Sequence, residues 1–117
     1  MAESRLKLMQ HPKFRYIRSK ALLKAVASLP CQLCGHLWTQ AAHSNQAIHG
    51  KGRGIKASDI YTAALCQHHH YEIDQGKELS KQDRIDAWNY AHQKTVAELL
   101  ERNMWPKNIP LPTGENP

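Results

Sequence analysis

Residues 64–74 read ALCQHHHYEID and residues 31–35 read CQLCG, and between them they hold all three cysteines of the chain. Cys31, Cys34, Cys66 and His69 follow the spacing C-x2-C and C-x2-H, with 31 residues between the two halves. Zn²⁺ takes four sulfur or nitrogen donors at tetrahedral corners, and two intervening residues let one tight turn present a pair of them. Ring direction rotates by about 100° per helical residue, so only one of His68, His69 and His70 can share a site with Cys66. The x2 spacing selects His69, with His36 as the competitor. The expectation is a structural zinc ion, whose binding is worth roughly 10–16 kcal/mol in peptides, comparable with the whole stability of a small domain.

Outward from these knuckles the elements read as follows. Residues 19–28, SKALLKAVAS, are good helix formers with Leu22, Leu23, Val26 and Leu29 on one face, and Pro30 stops them. Residues 31–35 form a tight knuckle in which Gly35 is free to take a positive φ. Residues 37–43 predict a strand and residues 60–65 a second one, so that a hairpin brackets the Gly-rich loop of residues 44–58, expected to be mobile without a ligand. Residues 67–75 predict a helix ended by Gly76. Ser80 and Asp83 resemble a capping box, opening a helix to about Asn103 with Ile85, Trp88, Val96, Leu99 and Leu100 as its buried stripe. Trp38, Trp88 and Trp105 are expected in the core. The tail from Pro106 to Pro117 holds four prolines and predicts extended or disordered chain.

With 117 residues there is room for one compact domain, and the 41% hydrophobic and 22% charged content excludes disordered, collagenous and coiled-coil chains. No apolar run reaches the length of a membrane span and none resembles a secretory signal, so a cytoplasmic location is expected, and CxxC there argues for metal or redox chemistry rather than bridges. The net charge is +6, and ten Lys or Arg lie between Ser4 and Ser58 without a single carboxylate. Such a stretch is the electrostatic footprint of a polyanion partner.

Taken together, ALCQHHHYEID, the upstream LPCQLCG followed by AAH, the run GKGRGIKASD and the preceding IRSKALLKAVASLPC resemble the HNH (ββα-metal, His-Me finger) endonucleases. Within them, the resemblance is to the small phage and prophage nucleases of the Ref and YbcO-like group. It covers roughly residues 15–105. It implies an α+β, zinc-stapled, treble-clef-like ββα-metal fold with flanking helices. The chain then divides into a basic arm and helix (1–30), the knuckle and ββα-metal core (31–76), a C-terminal helix packed on it (77–105) and the Pro-rich tail (106–117). The resemblance also implies a divalent-metal-dependent DNA endonuclease of low sequence specificity, in phage or prophage DNA processing or recombination within a bacterial host cell.

Position by position, the resemblance gives His43 the role of general base, His70 and Asp74 the catalytic divalent ion, and the Cys/His set the structural zinc. The ion would be Mg²⁺ or Mn²⁺, with Ni²⁺ or Zn²⁺ as alternatives. His70 and Asp74 also stand four residues apart, on one face of a helix. Asp59, the first carboxylate after the acid-free stretch, is a metal ligand, a hydrogen-bonding partner that orients His43, or a cap. Two positions depart from the wider family: Ala42 stands where Asp or His often ligates the metal, and the middle Asn has no clear counterpart. Lys51, Arg53 and Lys56 form the expected phosphate clamp between Gly50, Gly52 and Gly54. Lys7, Lys13, Arg15, Arg18, Lys20 and Lys24 extend the basic surface, and His49 is a further candidate for substrate or metal. The partner is DNA, whether duplex, branched or single-stranded. A non-catalytic zinc-finger module that binds nucleic acid is the first rival reading, and a CxxC redox protein the second.

Overall fold

The computed structural model describes residues 15–112 as a small α+β protein around a two-stranded antiparallel sheet. Helix α1 (Lys20–Ala27) leads through the knuckle to strand β1 (Gln40–His43), and a 3₁₀ turn (Ala47–His49) interrupts the loop to strand β2 (Thr62–Leu65). Helix α2 (Gln67–Asp74) follows β2 directly, and helix α3 (Lys81–Glu101) closes the domain. Lys7 and Lys13 lie outside the described residues. No described helix is long and apolar enough to cross a membrane.

Helix α1 starts where Ser19 caps it, its hydroxyl accepting the Leu22 N–H at 3.1 Å. Leu22 and Val26 are buried with Leu29 just beyond the helix, whereas Leu23 is only half-buried. The strands are shorter than the sequence suggests. Residues ahead of Gln40 complete the knuckle instead, as the Cys31 N–H donates to the His36 carbonyl at 2.8 Å and the Trp38 N–H to His36 Nδ1 at 3.1 Å. Trp38 is consequently 81% exposed, not part of the core; Trp88 is buried, and Trp105 is half-buried, donating to the Ile109 carbonyl. Before β2, the Tyr61 N–H turns back to the Ser58 carbonyl, which shortens that strand.

Gln40 pairs with Leu65 and His43 with Thr62. All four residues of β2 are buried, so its outer edge needs partners for its backbone groups. Helix α3 supplies them: Thr95 accepts the Ala64 N–H at 3.0 Å and the His92 ring sits 2.8 Å from the Thr62 carbonyl. The Gln32 N–H completes the edge at the Ala64 carbonyl. This job sets the buried stripe of α3, which is Trp88, Ala91, Thr95 and Leu99. Ile85 and Val96 are only half-buried and Leu100 is 48% exposed, because the face that meets β2 is the one carrying small Ala91 and hydrogen-bonding Thr95. Ser80 caps α3 through the Asp83 N–H at 3.0 Å. The helix ends at Glu101, with Asn103 at φ 58° and the Met104 N–H reaching back to the Leu99 carbonyl.

Gly35 has the positive φ (81°) that the knuckle requires. Gly76 is required for a different reason. A side chain there would bring its Cβ to 2.8 Å from the backbone of Glu72, so the chain leaving α2 fits only without one. The loop of residues 44–58 is stitched down by Tyr16, whose hydroxyl donates to the Gly50 carbonyl, and by Arg18, which donates to the carbonyls of Lys56 and Ala57.

Candidate metal centre and the groups around the first strand

The knuckle between α1 and β1 and the start of α2 bring Cys31, Cys34, Cys66 and His69 together, with all four ligand atoms within 4.8 Å of one another. Cys34 Sγ lies 3.8 Å from Cys66 Sγ, and His69 Nδ1 lies 3.2 Å from Cys66 Sγ and 3.7 Å from Cys31 Sγ. Thiolates about 2.3 Å from a common tetrahedral centre are about 3.8 Å apart, so the donor set and its spacing fit Zn²⁺. Among the described residues this is the one group of three or more His, Cys, Asp or Glu whose donors converge in this way. Burial pushes the Cys31 thiol up, but amide donors from Cys66, Leu33 and Cys34 outweigh it and hold the pKa below the usual thiol value. Cys34 goes the other way: the His36 amide favours its thiolate, yet desolvation and the neighbouring sulfurs leave it raised. His36 stands apart from the cluster, its ring accepting the Trp38 N–H. His68 is exposed.

His43, the last residue of β1, carries its Nε2 to 2.8 Å from Asp59 Oδ1. Asp59 is 3% exposed and has its other oxygen on the Ser19 N–H at 2.8 Å, while Arg18 donates to Oδ1 at 3.2 Å. Asp59 therefore orients His43 and ties the start of α1 to the loop at once. Arg18, expected as part of a free basic surface, is committed to this carboxylate and to two loop carbonyls. A carboxylate only accepts hydrogen bonds, so the His43 proton resides on Nε2 and Nδ1 of the neutral ring keeps its lone pair. The ring is 18% exposed, within reach of a water molecule.

On α2, His70 Nε2 and Asp74 Oδ2 are 3.0 Å apart and both side chains remain more than a quarter exposed. Gln40 from β1 reaches His70 Nδ1 at 2.5 Å, and Asn45 donates to Asp74 Oδ1 at 2.7 Å. Burial raises the Asp74 carboxyl, but the bond and charge of His70, the Asn45 amide and the Lys51 ammonium outweigh it and lower its pKa. Neither Asn45 nor Gln40 was legible as a site residue; the one hint was that Asn45 stands two residues past His43. Two residues of backbone keep the Asn45 Cα at most about 7 Å from that of His43. His43 and the His70–Asp74 pair belong to separate hydrogen-bonded sets: side chains alternate along a strand, so His43 and Gln40 project from opposite faces of β1.

Beside Asp74 opens a cleft of about 1040 Å³ whose walls include Asn45, Lys51, Asp74, Lys81, Arg84 and Trp88. Of the expected phosphate clamp only Lys51 lines it; Arg53 and Lys56 are exposed elsewhere on the loop. Lys81 and Arg84 come from α3, too distant in sequence to be read with the loop. His49 is not at this site. It is buried, bonded to Ser44 and stacked on Tyr61 with centroids 4.2 Å apart, and burial with the nearby His92 lowers its pKa to about 4.

Residues 2–105 match the family described as "Protein of unknown function (DUF968)". No curated protein and no solved structure matches the chain.

Proposed function

We propose that this chain, which belongs to the DUF968 family, is a divalent-metal-dependent DNA endonuclease of the HNH, ββα-metal type. The observation that carries the reading is the oriented His43–Asp59 pair at the end of β1, together with a His–Asp pair, held by Asn45, on the helix that follows β2. Each part has work to do in phosphodiester hydrolysis. Nδ1 of His43 accepts a proton from water as its oxygen attacks phosphorus, a general-base contribution of roughly 10²–10⁴ in rate. Asp59 keeps the ring in the required tautomer and favours the imidazolium that forms. His70 and Asp74 are the donors available to a hydrated divalent ion, which when bound would stabilise charge on the phosphate and the leaving 3′ oxygen. Lys51, Lys81 and Arg84 hold the phosphate backbone without reading bases. The Cys3His cluster binds zinc and fixes the strand and helix that carry these groups. A phage or prophage setting, and the low sequence specificity, rest on the resemblance of the sequence.

A plasmid-relaxation assay with Mg²⁺, Mn²⁺, Ni²⁺ or excess EDTA tests the reading, with His43→Ala alongside. Metal-dependent nicking that is lost in the variant supports it. The second reading is a non-catalytic, zinc-stapled nucleic-acid-binding module. It is favoured by the direct contact between His70 and Asp74, 3.0 Å apart, which gives each a partner without a cation. A salt-sensitive gel shift with no cleavage in any metal would select it.

A further inference from the structure

On the far side of the 3₁₀ turn from the basic cleft lies a second cavity, of about 600 Å³, between that turn and α3. It is lined by His49, Tyr61 and His92, by the amide-bearing Gln46, Asn89 and Gln93, and by Ile48, Pro112 and aliphatic residues of α3. No Lys, Arg, Asp or Glu lines it. The rings are set by packing: His49 stacks on Tyr61, and His92 lies parallel to Trp88 at 4.8 Å and 11°. The His92 Nδ1 faces the Thr62 carbonyl at 2.8 Å, so its proton resides there and Nε2 is left as an acceptor. Burial lowers the pKa of both imidazoles, so neither supplies a positive charge.

A charged ligand would lose its hydration here and meet no counter-charge. An uncharged, planar heterocycle with donors and acceptors around its edge is what such walls suit, and the volume is in the range of small-molecule sites. Position adds the second argument. Gln46 and Ile48 line both this cavity and the cleft that holds Lys51 and Asp74, so a single short segment separates an aromatic, neutral chamber from a basic one. One nucleotide has those two halves.

We propose that this cavity receives an unpaired nucleobase of the strand whose phosphate occupies the basic cleft. A paired base has its edge occupied and its faces stacked, so the substrate is single-stranded or locally opened. The inference rests on the nucleic-acid reading above and narrows its substrate class.

The test uses fluorescence anisotropy with zinc-loaded protein and no added divalent ion. Three probes of equal length are compared: a thymidine oligonucleotide, an abasic sugar-phosphate strand of the same charge, and a duplex. The thymidine strand should bind about tenfold more tightly than the abasic one, the scale of base–aromatic stacking. Ala97→Trp, at an exposed position on the α3 wall, should fill the cavity and bring the thymidine strand down to the abasic level with duplex affinity unchanged. Gln93→Trp, exposed one turn earlier, is the second plug. Equal affinity for thymidine and abasic strands, or a ratio that survives both plugs, overturns the base site and leaves the nucleic-acid reading standing. No binding to any probe overturns both.

Discussion

His43 Nε2 and Asp59 Oδ1 are 2.8 Å apart, and they come from opposite ends of the loop that joins the two strands. Neither is close to the other in sequence, and neither belongs to the zinc cluster. The bond holds the His43 ring in one orientation, with Nε2 on the carboxylate and Nδ1 turned away from it. It also makes Asp59 serve two purposes, because the same carboxylate holds Arg18 and the first amide of the α1 cap.

Asp59→Ala should therefore cost stability as well as any activity. The substitution leaves a guanidinium, an amide and an imidazole without their shared acceptor at a site 3% exposed. Losing one side of such a network costs about 2–4 kcal/mol, and in a domain of this size that lowers Tm by at least about 8 °C. Thermal denaturation of the zinc-loaded variant checks it; a Tm within about 2 °C of the parent would show that Asp59 is not the anchor described here.

Zinc content gives a test in which accessibility and importance are opposed. Cys34 is exposed and would be a mild position for substitution on burial alone. As the fourth corner of the cluster it should be as costly as buried Cys66. Cys34→Ala, Cys66→Ala and His69→Ala should each lose the metal and unfold, while His68→Ala keeps about one zinc per chain. Metal analysis by mass spectrometry alongside circular dichroism separates these cases, and a folded, metal-loaded Cys34→Ala protein would break the assignment.

These two sites differ in how far the sequence revealed them. The zinc donors were legible because tight-turn spacing is a local property, and Cys31, Cys34, Cys66 and His69 converge as their spacing suggests. The hairpin and the three helices were legible from periodicity and caps. The contents of the α3 stripe were not: Thr95 is buried because the Ala64 amide on the sheet edge needs an acceptor, and no helical period encodes that demand. Trp38 lies outside the core for a similar reason, since the knuckle takes up the residues before β1 and leaves its indole in solvent. Asn45, Lys81 and Arg84 reach the cleft only through the fold's long-range contacts.

Asn45 should matter for cleavage and little for folding. Its amide donates to Asp74 at 2.7 Å on the surface, where the loss of one exposed hydrogen bond changes stability by less than about 1 kcal/mol. If His70 and Asp74 hold the catalytic ion, removing the group that orients Asp74 should lower nicking by about 10–100-fold. Asp74→Ala should abolish nicking with the melting temperature unchanged. Full activity in Asp74→Ala would remove the pair from the mechanism, and an inactive, unfolded protein would make its role structural.

The buried histidine within the loop predicts the acid limb of stability. His49 takes up a proton near pH 6.5 when unfolded but only near pH 4 in the native state, where burial and the neighbouring His92 oppose the charge. Between these values the unfolded chain binds more protons, so stability rises with pH across the window and falls as pH drops through it. Below about pH 4 the loss is complete. Allowing for partial solvent access, the His49 contribution amounts to about 2 kcal/mol. His92, whose pKa is also lowered by burial, adds in the same direction. Urea denaturation of zinc-loaded protein at a series of pH values measures the slope, and His49→Phe, which keeps a ring against Tyr61, removes the group. Protonation of the zinc ligands affects both proteins alike, so the difference between their curves isolates His49. The curves should converge by about 2 kcal/mol from pH 6.5 to pH 4, and parallel curves would mean that the native state accommodates the charged ring.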